Sequence, residues 1–272
     1  MSFLNFEGKL VFVTGSTKGI GSKCNEVFYR AGADVIVAGR GAGDVAASAA
    51  ALAAAVPARS GGGILHAAFD LGTPSGCDAC LAWLEELGRP VDVLVNNLGI
   101  FEVRPFAEIA DEEWTRFFEV NVMSGVRLCR ALLPKMLARG SGSIVFVSSE
   151  AALATKPFMV HYSMTKTAQL SLARSLAGAC KGVPGVRVNS VMPGPTHTEG
   201  IEAYIDKGFR KEGQTLAEAM SEYVRTVEPT SLLERLVEPE EVANLVVFLA
   251  SNAHGIQGAA LRSEGGILQS IV

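Results

Sequence analysis

Apolar runs and helical patterns alternate along almost the whole chain. Runs dominated by apolar residues, many of them β-branched, occur at 10–14, 35–38, 64–68, 91–95, 143–148 and 186–191, with a shorter one at 259–261. Between most of them lie stretches of helical pattern, at 19–30, 44–56, 75–87, 111–138, 160–179 and 239–250. Strands that read as continuous apolar runs, rather than as period-two alternation, are those covered on both faces. The order therefore predicts an α/β fold: one doubly wound, seven-stranded, mostly parallel sheet with helices on both faces.

One segment interrupts this rhythm. Residues 196–233 are polar and charged, helix-like, and contain no strand-like run. So long an excursion is uncommon in a compact domain and is often functional. It is expected to form one or two mobile helices, a substrate lid over a cleft. Nothing else divides the chain. The glycine-rich stretch 59–63 only joins a helix to a strand, and no repeat appears. A single domain over 1–272 is expected.

Composition narrows the class. Of 272 residues, 49% are hydrophobic and 19% charged, which suffices for a substantial core. The net charge of −4 argues against a nucleic-acid partner. No apolar run approaches the roughly 20 residues needed to span a bilayer. The first seven residues lack the basic and apolar regions of a secretory signal. A cytoplasmic protein with no membrane partner is expected. Five cysteines, an odd number, do not suggest a disulfide framework. Cys77 and Cys80 form a lone C-x-x-C. It reads either as a redox pair or half a zinc site, or as two small residues on successive helical turns. No second pair or nearby histidine completes a ligand set, which favours the second reading. His66, His197 and His254 show no ligand-like grouping, and no metal is expected.

The first strand runs through Gly15, Ser16, Thr17, Lys18, Gly19, Ile20 and Gly21 straight into a helix. A tight turn and a close approach of backbone to a pyrophosphate both require glycine. The helix N-terminus then offers free N–H groups to phosphate. The spacing is neither the usual dinucleotide G-x-G-x-x-G nor the P-loop; its position between first strand and first helix gives it weight. At the tip of the second strand, where a carboxylate would bind a ribose 2′-hydroxyl, Arg40 stands instead. With Lys18 it favours NADP(H) over NAD(H).

Tyr162 and Lys166 are four apart in a helical stretch, so their side chains share one face about 6 Å apart. A phenol near pKa 10 is a poor base at neutral pH. An adjacent ammonium is expected to lower it toward the range a general acid/base needs. Ser149 closes a strand at the carboxyl edge, where such sheets bind ligands. Ser148 is its neighbouring candidate.

Together, Thr14-Gly-x-x-x-Gly-Ile-Gly21, Asn96-Asn-Leu-Gly99, Asn121, Ser149, Tyr162-x-x-x-Lys166 and Pro193-Gly194 stand in one order and spacing. With them the chain, over 8–266, resembles the short-chain dehydrogenase/reductase family, in the form of bacterial 3-oxoacyl-carrier-protein reductases. The resemblance implies a Rossmann-type domain with a catalytic tetrad of Asn121, Ser149, Tyr162 and Lys166. The 13-residue spacing to the tyrosine selects Ser149. Asn121 is implied to help hold a water near the lysine in a proton relay. Further implied cofactor contacts are Asp70 at the adenine amine with Leu71 beside it, Asn97 and Gly99 at the adenosine, and Ile20 at the nicotinamide. Pro193, Gly194, Thr196 and Thr198 fall where the family holds the carboxamide and pyrophosphate.

Two departures stand out: Leu98 replaces the usual alanine, and Ser263-Glu264-Gly-Gly266 replaces hydrophobe-Asp-Gly-Gly. Glu150 and His161 flank Ser149 and Tyr162 and are candidates to enter the site. The pocket wall is expected at 101–103, 153–158 and 201–209, mainly apolar, suited to a ketone or an acyl chain. Arg127, Arg130 and Lys135 could form a basic patch for an acyl carrier protein, or simply a solvated face. The expected activity is NADP(H)-dependent reduction of a ketone or 3-oxoacyl carbonyl, possible substrates extending to an acyl thioester, in a homotetramer. A non-catalytic NADP-binding or regulatory protein is the alternative; the complete tetrad weighs against it. An enoyl reductase is disfavoured, because that branch usually sets its lysine farther from the tyrosine.

Overall fold

Residues 4–56, 62–251 and 255–271 are described by the structure, a computed structural model. Seven strands form one sheet: β1 (Leu10–Val13), β2 (Asp34–Gly39), β3 (Ile64–Ala68), β4 (Val93–Asn96), β5 (Gly142–Val147), β6 (Val186–Pro193) and β7 (Ala260–Ser263). Their order is β3-β2-β1-β4-β5-β6-β7, and every pairing is parallel, not merely most. The chain winds outward from β1 to β3, then crosses back to β4 on the other side of β1. That reversal opens a crevice at the carboxyl ends of β1 and β4.

The continuous apolar runs still sort by period two. Val11, Val13, Val35, Val37, Val93 and Val95 face helices α1 (Gly19–Arg30), α2 (Ala42–Ala55) and α9 (Pro239–Ala250). Leu10, Phe12, Ile36 and Leu94 face α3 (Pro74–Glu86), α5 (Ser124–Arg139) and α6 (Val160–Ala179). Because both faces are covered, neither set can be polar. The five cysteines are free and buried. Cys77 and Cys80 lie on α3 within the second layer, and burial pushes the Cys80 thiol up to about 12, so the pair is packing, not a redox couple.

The helix expected over 111–138 is divided. α4 (Asp111–Phe118) passes into a π-helical turn, Glu119–Met123, before α5 begins. The excursion at 196–233 holds two helices, α7 (Glu199–Gly208) and α8 (Leu216–Val227). Thr198 caps the first, and a Thr215–Glu218 capping box starts the second. They share a small core of their own around Ile205, Ala219, Tyr223 and Val224. A bridge between Thr196 and Val237 closes the excursion at its base. At its far end Leu232 N–H donates to Gly265 O (2.7 Å) and Thr230 Oγ1 donates to Ile267 O (2.8 Å), just beyond β7. The stretch 59–63 lies partly, and His254 wholly, outside the described residues.

Candidate active site

The glycine turn is held by the loop after β4. Thr14 Oγ1 accepts from the backbone N–H of Asn97 (3.0 Å) and of Leu98 (2.9 Å). Asn97 Nδ2 donates to Thr14 O (2.9 Å) and Gly15 O (3.0 Å). Ser16 Oγ accepts from Ala38 N–H (2.9 Å), tying the turn to β2. Two sequence-predicted contacts, Ser16 and Asn97, are therefore frame-builders. Gly19 takes φ +54°, a left-handed conformation that glycine favours. A Cβ at Gly21 would lie 2.5 Å from Asn97 Nδ2 and 2.6 Å from Gly15 O. Leu98 fits by packing over Gly15.

At the start of α1, Lys18 makes no side-chain cap bond, which leaves the first-turn N–H groups without a side-chain cap. Lys18 and Arg40 are exposed, and neither forms an ion pair among the described residues. Asp70 is exposed as well, its Oδ1 accepting from Gly72 N–H (3.1 Å). The Leu71 side chain is buried in the core, leaving only its backbone for a ligand. A backbone cradle lacking Cβ atoms, an uncapped helix start and two free cations fit a phosphorylated dinucleotide.

Next to this turn lies a cleft of about 210 Å³, open to solvent. Of the predicted contacts, Ile20, Asn97, Gly99, Pro193, Gly194, Thr196 and Thr198 line it together with Ser149, Tyr162 and Lys166. Gly15, Ser16, Thr17, Lys18, Gly19, Gly21, Arg40, Asp70 and Leu71 are not among its lining residues. Ser149 and Ser148 separate cleanly. Ser148 Oγ donates to Lys166 O (2.8 Å), whereas Ser149 Oγ accepts from Ala151 N–H (3.1 Å) and donates to Glu150 Oε2 (2.6 Å).

Lys166 Nζ donates to Val147 O (3.0 Å) and lies 5.6 Å from the Tyr162 ring centre. Burial lowers its amine to about 8. The expected lowering of the Tyr162 phenol does not prevail. Burial, and then the negative charge of Glu150, push it up, against a partial lowering by Ser149. Raised above the ordinary phenol value near 10, Tyr162 keeps its proton at neutral pH.

Asn121 sits in the π-helical turn rather than in a regular helix. Its Oδ1 accepts from Ile100 N–H (2.8 Å), and its Nδ2 donates to Ile100 O (3.0 Å) and Thr165 Oγ1 (2.9 Å). The widened turn presents Asn121 O to Gln169 Nε2 at 2.6 Å. These bonds fix Ile100, and with it the adjoining Gly99, beside Lys166.

Sequence reasoning only half saw the far end of the cleft. Glu150 does enter the site, buried at 5% exposure, 3.7 Å from Lys156 Nζ. Both carboxylate oxygens of Glu228 lie 2.6 Å from the same Nζ. Burial pushes the Glu150 carboxyl above its ordinary value. His161 stays out. Its ring is fully buried, 3.9 Å from the Phe117 ring, and burial lowers its pKa. Of the expected walls, Phe101, Val103, Phe158, Ile201 and Tyr204 line the cleft, joined by Tyr223. Leu153 is instead exposed, and Phe209 packs on Tyr223 within the helical pair. Of the three cations that could form a basic patch or a solvated face, Arg127 pairs with Glu119 and Lys135 with Glu85 at the surface, while Arg130 is exposed.

A doubly wound sheet with a glycine turn at its switch point and a Ser–Tyr–Lys group at the same edge defines a dinucleotide-dependent oxidoreductase. The chain belongs to the short-chain dehydrogenase family, whose model matches residues 9–207. It is 47% identical over 270 residues to the uncharacterized oxidoreductase YvrD of Bacillus subtilis, covering 98% of this chain and 99% of that one. It is 33% identical over 265 residues to the L-rhamnose 1-dehydrogenase (NAD(P)(+)) of Azotobacter vinelandii, covering 97% and 98%. Among solved structures, L-sorbose reductase from Gluconobacter frateurii, complexed with NADPH and L-sorbose, superposes with a TM-score of 0.90 at 30% identity. The match covers 99% of this chain and all of that one. No helix among the described residues is long and apolar enough to cross a membrane.

Proposed function

We propose that this protein is an NADP(H)-dependent carbonyl reductase that converts a ketone, free or as a 3-oxoacyl thioester, to a secondary alcohol, reversibly. The observation that carries the reading is the convergence of Ser149, Tyr162 and Lys166 on one cleft beside the glycine turn. NADPH, when bound, supplies the hydride. Gly15, Ser16, Thr17, Gly19 and Gly21 would hold its pyrophosphate, and Lys18 with Arg40 its 2′-phosphate. Asp70, the Leu71 backbone, Asn97 and Gly99 would take the adenosine. Ile20, Pro193, Gly194, Thr196 and Thr198 would take the nicotinamide end. The NADPH-bound relative supports the choice of cofactor.

Tyr162 holds its proton and gives it to the substrate oxygen as charge develops there. Ser149 polarises that oxygen by turning its hydroxyl proton from Glu150 to the substrate. Lys166 carries positive charge into the site and is held by Val147 O. Asn121 Oδ1 keeps a second lone pair for a relay water. The helices α7 and α8 act as the lid. The five buried thiols accord with a reducing cytoplasm, and the family resemblance with a homotetramer.

Tyr162→Phe tests the reading. NADPH binding, followed by fluorescence titration, should persist, while NADPH oxidation at saturating ketone falls by about 10²–10⁴-fold. Turnover close to that of the unaltered protein would sink it.

A further inference from the structure

The cleft combines two features that point to one kind of ligand. Its walls are aromatic and apolar, with Phe101, Phe158, Tyr204 and Tyr223. Set into them are Glu150, Lys156 and Glu228, each lining the cavity, with Glu150 at 5% and Glu228 at 4% exposure. A buried ion pair is a poor source of stability, since desolvation offsets most of the attraction. Here the pair stands against the cavity into which a substrate must fit.

The charges also discriminate. Lys156 Nζ is taken up by both oxygens of Glu228 at 2.6 Å, with Glu150 at 3.7 Å. Held by two carboxylates, Lys156 is not free to meet a substrate carboxylate or phosphate. What remains are carboxylate lone pairs and ammonium protons beyond those used, a set that exchanges hydrogen bonds with neutral hydroxyl groups. Flat aromatic rings beside them suit the C–H faces of a carbon chain.

We propose that Glu228 and Lys156, with Glu150, form the specificity-determining anchor of the cleft, and that the substrate they select is a neutral polyhydroxy ketone. This rests on the reductase reading and extends it. Glu150 joins the anchor to the reacting end, because it receives the Ser149 hydroxyl. A substrate hydroxyl bound by the anchor would lie in the same cleft as Ser149 and Tyr162.

The test pairs binding with turnover. A neutral ketohexose, its keto-acid counterpart and 2-hexanone are titrated calorimetrically into the NADP-loaded protein, and each is assayed for NADPH oxidation. The ketohexose should bind at least about tenfold more tightly than either of the others. Glu228→Gln should reduce the ketohexose-to-hexanone ratio of kcat/KM by about tenfold or more, mainly through KM. Should Glu228→Gln fail to fold, the paired replacement Lys156→Met with Glu228→Leu removes both charges together, and should likewise shift preference to 2-hexanone. Equal binding of all three ketones, or tighter binding of the keto acid, would overturn the anchor. Tight ketohexose binding with no NADPH oxidation would keep the anchor and sink the reductase reading instead.

Discussion

The two ends of the cleft are built on different principles. The dinucleotide end is made of backbone: a turn with glycine at positions a Cβ would crowd, braced by Thr14 and Asn97. The substrate end is made of side chains drawn from distant segments, Glu150 and Lys156 after β5, Tyr204 on α7, Tyr223 and Glu228 at α8. A backbone cradle tolerates little change, because a Cβ at Gly21 meets neighbours on both sides. A side-chain wall can be replaced residue by residue without touching the sheet. The divergent substrates named for similar proteins, L-sorbose and L-rhamnose, fit that division.

The division can be broken most forcefully at Gly21. Gly21→Val places branched carbon where Asn97 Nδ2 and Gly15 O already stand. NADPH affinity should fall beyond about 100-fold, with a stability loss of about 1–3 kcal/mol from overpacking, measured by fluorescence titration and thermal melting. Arg40→Asp should lower the NADP-to-NAD ratio of kcat/KM by about tenfold, or about 1.4 kcal/mol; an unchanged ratio would remove Arg40 from the cofactor site. The pH profile offers a third, intermediate effect. With its amine lowered to about 8, Lys166 is charged below that pH and neutral above it. Carbonyl reduction should therefore decline as pH rises through about 8, and Lys166→Arg, which cannot lose its charge, should flatten that limb in whatever activity it keeps. The smallest effect belongs to Tyr223→Phe. Removing one hydroxyl from the substrate wall should move the ketone KM about threefold and leave NADPH affinity untouched. If it altered cofactor affinity as strongly as Gly21→Val, the two ends would not be separate.

What could be read from the sequence follows the same line. The strands, the glycine turn and the Tyr162–Lys166 pair are local patterns, carried by adjacent residues or by a helical repeat. Two things were not legible. The π-helical turn around Asn121 leaves no mark in hydrophobic spacing, since a turn one residue wider barely shifts the apolar stripe, so 111–138 reads as one helix. The Glu150–Lys156–Glu228 group needs residue 228 brought back over residue 150, a tertiary contact that no periodicity encodes. The pKa of Tyr162 failed for a related reason: a neighbouring lysine is visible in sequence, but the burial and the Glu150 charge that outweigh it are not.

The attachment of 230–233 to the segment after β7 reaches further than packing. Leu232 and Thr230 are tied to Gly265 and Ile267, while the other base of the excursion is tied by Thr196 to Val237. The helical pair is thus suspended between two fixed posts, one of them near the end of the chain. Glu228 stands only two residues from the first of these ties. A substitution that shifts residues 265–267 should therefore displace Glu228 and the cleft wall beside it, and on the proposed reading tailoring the segment after β7 becomes a way to tune which ketone the cleft accepts without altering any residue inside it.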